Sequence, residues 1–108
     1  MSGFDDRKRG EEGKFAHDAE FRFKATARRD KLLGLWVAET FLNLSGEPAD
    51  AFAKEVVVSN FERPGDEDVV EFVLGRVAGT DSDLSDHRLR NKMEELMLVA
   101  QDQIQTEA

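Results

Sequence analysis

The chain has 108 residues, no cysteine, two histidines and a formal net charge of −8. That length suits one domain with a single modest core, and the missing thiols exclude disulfides, thiol redox chemistry and thiolate zinc sites. The acidic balance argues against nucleic acid, whose affinity comes largely from neutralised phosphates, and no apolar run approaches the length that spans a bilayer.

The charge is unevenly spread. Residues 1–30 hold eight Lys/Arg against seven Asp/Glu, a balance of +1, whereas the remaining 78 hold seven against sixteen, a balance of −9. A mixed-charge arm therefore precedes an acidic body. The N-terminus is charged where a signal peptide would be apolar, so the expectation is a cytoplasmic protein without direct membrane insertion.

The arm, expected over residues 1–17, is too polar to hold one conformation by itself. It nevertheless carries Phe4 and Phe15, with Phe21 and Phe23 close behind. Burying a ring of that size contributes roughly 1.5–3 kcal/mol, so these residues call for a surface to dock on. Phe21 and Phe23 stand about 200° apart on a helix, so at most one of them packs inward.

Residues 18–44 contain no proline and read as one long helix. Leu33, Trp36, Val37, Thr40, Phe41 and Leu44 recur at three- and four-residue spacings, which predicts an apolar stripe along its second half. In the first half the stripe thins to Phe21, Ala25, Leu32 and Leu35, interrupted by the charged band Arg28, Arg29, Asp30 and Lys31. At 1.5 Å per residue the helix would run about 40 Å. Its first turns are expected to project from the body.

Ser45-Gly46-Glu47-Pro48 marks a stop and a start, because glycine suits a helix end and proline a first turn. A second helix over about 48–63 would bury Ala49, Phe52, Ala53, Val56, Val57 and Phe61. The β-branched run Val56-Val57-Val58 favours a strand locally, but the segment is too long for one and finds no partner. Arg63-Pro64-Gly65-Asp66 breaks the chain again. A third helix over 66–78 would pack Val70, Val73, Leu74 and Val77, its early acids complementing the helix dipole. The fourth, over 83–105, would be capped by Ser82 or Asp83 and would pack Leu89, Met93, Leu96, Met97, Ala100 and Ile104. The fold class expected is all-α, a four-helix bundle with a long first helix behind a disordered arm.

Catalytic and metal patterns fail one by one. Asp81-Ser82-Asp83-Leu84-Ser85-Asp86 resembles the start of a calcium loop, but Asp86 stands where glycine must turn and Lys92 where glutamate must close the cage. His17 and His87 form no zinc pattern. Gly10-Glu11-Glu12-Gly13-Lys14 sets two carboxylates where a phosphate would lie, and there is no G-x-S-x-G elbow. The expectation is a protein that is not an enzyme and holds no metal or cofactor.

The residues do carry a resemblance. Phe15-Ala16-His17-Asp18-Ala19-Glu20-Phe21-Arg22-Phe23-Lys24, continued by Arg28-Arg29-Asp30-Lys31-Leu32-Leu33-Gly34-Leu35-Trp36, resembles the zeta subunit of alphaproteobacterial F-type ATP synthases. Phe4-Asp5-Asp6-Arg7, Gly65-Asp66-Glu67-Asp68-Val69 and Ser85-Asp86-His87 through Lys92-Met93-Glu94-Glu95-Leu96 extend the match over essentially the whole chain.

The resemblance implies an inhibitor of ATP hydrolysis. Such proteins are four-helix bundles whose N-terminal segment enters a cleft between catalytic alpha and beta subunits and reaches toward the central rotor, blocking its rotation. Carried over, the inhibitory segment falls within roughly residues 1–18. Phe4 and Phe15 would be its apolar anchors, and Asp5, Arg7, Arg9 and Lys14 its polar contacts. Gly10 and Gly13 depart from the pattern, and each weakens a helix by roughly 1 kcal/mol relative to alanine. The protein would be a monomer when free and peripheral to the inner membrane through the synthase. Two other readings stay open: an adaptor bundle for a different partner, and a weak adenine-nucleotide binder using a helix N-terminus. The acid-rich starts at Asp66–Asp68 and Asp81–Asp86 oppose the second.

Overall fold

The computed structural model describes residues 19–62, 65–80 and 83–107. Four helices follow one another: α1 (Ala19–Phe41), α2 (Gly46–Glu62), α3 (Glu67–Val77) and α4 (Asp86–Glu107). There is no strand among the described residues, and the β-branched run Val56-Val57-Val58 is helical. The described chain is an all-α four-helix bundle. The expected arm lies outside the described residues.

α1 is the central member, packed most extensively on α2 and then on α4, while α3 packs chiefly on α2. The core gathers Leu33 and Val37 of α1, Phe52 and Val56 of α2, Val69 and Val73 of α3, and Leu89 of α4. α1 and α2 meet at close range because Gly34 has no side chain. A Cβ there would stand 2.5 Å from the Ala53 Cα, closer than van der Waals contact permits. At the other end of α1, Trp36 and Phe41 meet edge to face, with ring centroids 5.2 Å apart. Arg88 and Lys92 of α4 lie over these rings at 5.3 and 4.9 Å, where a cation meets the negative π face.

The helix ends depart from the sequence expectation in ways that hydrogen bonds explain. α1 stops at Phe41 rather than continuing to residue 44. Asn43 adopts φ 57°, and the Leu44 amide donates to the Ala38 carbonyl at 2.9 Å. That return, spanning residues 38–44 around a left-handed residue, satisfies a carbonyl of the last turn and ends the helix, with asparagine, which tolerates this conformation, standing where glycine is usual. Gly46, at φ 62°, opens α2 instead of closing α1.

α4 begins at Asp86, three residues later than expected. Ser85 is its cap: its Oγ accepts the Arg88 amide at 3.1 Å. Asp83 accepts the Arg88 guanidinium at 2.9 Å instead of capping, and Ser82 lies outside the described residues.

The first turns of α1 do not project. Phe21 is buried, Phe23 stacks on Phe61 of α2, and Arg28 donates to Gln103 and Glu107 of α4 at 2.7 Å each. The ends of α2 and α4 cover the part of α1 that periodicity alone leaves unsupported.

Candidate functional site

The anchors and contacts expected from sequence, Phe4, Asp5, Arg7, Arg9, Lys14 and Phe15, lie outside the described residues. The described chain begins after them in sequence, with the N-terminal half of α1, which lies against parts of α2 and α4.

Two phenylalanines two positions apart leave that helix on different sides. Phe21 turns inward, while Phe23 keeps 58% of its surface exposed, as their angular separation requires. Phe23 lies face to face with Phe61, ring centroids 5.5 Å apart and planes 9° from parallel. Phe61 is itself 57% exposed and Val58 54%. The expectation that Phe61 joins the buried face of α2 is therefore wrong. It sits in the last turn of α2, where its neighbour across the seam is the half-exposed ring of Phe23 rather than the core.

Around these side chains run three adjoining depressions of about 310, 480 and 470 Å³. Phe23 and Ala27 are common to the first two, and Lys31 and Val57 to the last two. Together they form one shallow groove along the α1–α2 seam, with Ile104 and Glu107 of α4 on the wall of its middle part.

Beneath the groove lies a polar junction that residue types alone disguise. Arg29 is 3% exposed and Asp30 1%, although the sequence presents them as part of a charged band. The Arg29 guanidinium donates to Asp30 Oδ1 from Nε at 2.9 Å and from Nη2 at 2.7 Å. It also grips both carboxylate oxygens of Asp66, from Nη1 at 3.2 Å and Nη2 at 2.9 Å. Asn60 Nδ2 donates to the other oxygen of Asp30 at 2.8 Å.

One helix is thus tied to α2 through Asn60 and to the start of α3 through Asp66. Asp66 makes no side-chain cap for α3, because its carboxylate is turned toward Arg29. Burial pushes the Asp30 carboxyl above its ordinary range, although Arg29 and Asn60 pull it back. Burial also opposes the charge on Arg29, but its hydrogen bonds to Asp66 and its pairing with Asp30 more than offset this and hold it above the ordinary arginine value.

A signal for this junction was present. Residues 21, 25, 29, 33 and 37 step by four along α1, so Arg29 falls in line with Phe21, Ala25, Leu33 and Val37. A charged residue in register with a buried stripe asks for a buried partner.

Chemically the junction is a fastening. Among the described residues no buried side-chain nitrogen or oxygen lacks a hydrogen-bond partner, and no group of three His, Cys, Asp or Glu could hold a metal. No described helix is long and apolar enough to cross a membrane. The groove above is a surface suited to binding, with exposed rings on its floor and cations on its rim.

Three comparisons bear on what such a surface serves. A family model described as ATPase inhibitor subunit zeta matches residues 1–103. A structure determined by solution NMR is 48% identical, the match covering 82% of this chain and 99% of that one, with a TM-score of 0.72. Curated proteins give no significant match.

Proposed function

The chain belongs to the ATPase inhibitor subunit zeta family, and on that premise we propose that it blocks ATP hydrolysis by inserting its first 17 residues into an F-type ATP synthase. The segment enters between catalytic alpha and beta subunits and reaches toward the central rotor. There Phe4 and Phe15 fill apolar pockets, while Asp5, Arg7, Arg9 and Lys14 make polar contacts. The bundle stays outside, and the protein meets the inner membrane only through the synthase.

The observation that carries this reading is the extent of the family match. It begins at residue 1, so the charged segment with its isolated aromatic residues belongs to the family's common sequence. The physics agrees. A segment with so little apolar surface needs a partner to order it, and ordering it costs about 2–5 kcal/mol or more of the gross interaction energy. Few large anchors must offset that cost, which is the use to which Phe4 and Phe15 are put here.

The test is removal of residues 1–18. The shortened chain is expected to keep its helical circular dichroism and to lose inhibition of ATP hydrolysis by the purified ATPase head. Equal inhibition by the shortened chain would end the reading.

A further inference from the structure

The acidic body leaves three cations without an acid. Of the ten lysines and arginines among the described residues, seven hold a carboxylate: Arg76 pairs with Glu55, for instance, and Arg90 with Glu67 and Asp86. Arg22, Lys31 and Lys54 have no ion-pair partner among the described residues, and all three are exposed. All three line the α1–α2 groove. Chance would scatter them over the body, and acids in excess should have claimed them.

The same groove holds Phe23, Val58 and Phe61, three of the five large apolar residues exposed among those described. Its walls carry one acid without a partner, Asp50, since Asp30 belongs to the buried junction and Glu107 is paired with Arg28.

We propose that this groove is a second docking surface of the inhibitor, and that it receives an amphipathic helix of the ATPase whose apolar stripe is flanked by Asp and Glu. The assignment rests on the inhibitor reading and extends it. Length fits: from Ala19 to Lys31 the groove follows α1 for about 18 Å, the rise of roughly three helical turns. Charge fits, because three cations on the rim face outward against a single free acid. An apolar floor with a charged rim is the anatomy of a groove that takes a helix.

Position fits as well, since the groove begins at Ala19, the residue from which the inhibitory segment departs. Docking the body there would hold that segment beside its cleft at an effective concentration on the order of millimolar. The groove would therefore set potency, and the segment the depth of inhibition.

The experiment uses the full-length chain and the purified ATPase head. In Arg22→Glu/Lys31→Glu/Lys54→Glu the half-inhibitory concentration should rise roughly tenfold or more and lose its salt dependence, while maximal inhibition at saturation stays that of the parent. Lys54→Gln with Val58→Ser should shift potency in the same direction, and decides the matter should the triple reversal impair folding. Unchanged potency in a folded variant overturns the proposal, with the parent's own inhibition standing. Failure of the parent to inhibit sinks the inhibitor reading instead.

Two other occupants give different results, and either overturns the assignment. If the chain's own first residues cover the groove, charge reversal should increase potency. If a second copy covers it, offering Leu98 and Val99 with Glu94 and Asp102 of α4, the parent should sediment as a dimer and the triple variant as a monomer.

Discussion

The two halves of α1 are held by different physics. From Leu33 to Ala38 the helix is fastened by dry packing, with Gly34 set against Ala53 and with Leu33 and Val37 sealed from water. From Phe21 to Asp30 the buried Phe21 and Ala25 are supplemented by a charged fastening, through Arg29, Asp30, Asn60 and Asp66, and by the Arg28 contacts to the end of α4. Dry packing fixes shape and tolerates little. A polar fastening holds direction while leaving rings and cations at the surface, and it is this half that follows residues 1–18 in the chain.

The largest effect should come from breaking the charged half. Arg29→Met removes both guanidinium contacts and leaves Asp30 buried with Asn60 alone, a loss of about 3–5 kcal/mol by the usual cost of orphaning one member of a buried ion pair. Urea denaturation at unchanged m-value reads it directly. Arg29→Met/Asp30→Leu should recover most of the loss, because replacing both partners removes the uncompensated charge. A double variant no more stable than the single one would mean that the junction acts by shape rather than by charge.

The dry half predicts a smaller penalty. In Gly34→Ala the new methyl meets the backbone of Ala53, which cannot swing aside as a side chain can. Helix propensity gains up to about 1 kcal/mol, but forced separation of α1 and α2 should leave a net loss of about 1–3 kcal/mol. Gly75→Ala is the matched control, since nothing lies within 4 Å of the site in α3, and it should stabilise by up to about 1 kcal/mol. Equal effects at the two glycines would refute the close approach.

These contrasts mark what could be read from the chain alone. The four helices were legible because apolar spacing survives in every one of them, and the Phe21/Phe23 divergence followed from helix geometry. The junction is not legible from residue type, which shows Arg29 and Asp30 only as part of a charged band; Arg29's register with Ala25 and Leu33 is the better guide. Phe61 departs from expectation for the opposite reason. Its spacing fits the buried stripe of α2, but spacing does not say where the neighbouring helix stops covering it. The end of α1 and the start of α4 fall elsewhere than spacing predicts because local hydrogen bonds at Asn43 and Ser85 decide them, and several residues nearby have side chains or backbones that suit the same role. The groove was invisible in sequence, since its cations come from two helices and are distinguished only by the partners they lack.

The smallest effect, and the sharpest test of the contrast, is in acid. Hydrogen bonds from Arg28 hold the Glu107 carboxyl below its ordinary value of 4.5, so its contribution is present above that pH and is lost as pH falls through the depressed value. Asp30 has the opposite sign. Its carboxyl is raised above 3.8, chiefly by burial, so the folded state gains relative to the unfolded one as pH falls through the raised value, and the gain is complete below 3.8. Acidification should therefore release the last turn of α4 from α1 while the junction beneath the groove stays closed. Amide hydrogen exchange reads the two places separately: protection near residues 103–107 should fall in acid, and protection near residues 28–31 should not. Glu107→Gln should abolish the response at the α4 end alone, since a neutral amide accepts from Arg28 without a charge to lose. If both places opened together at one pH, the two halves of α1 would be one cooperative unit and the division drawn between them would fail.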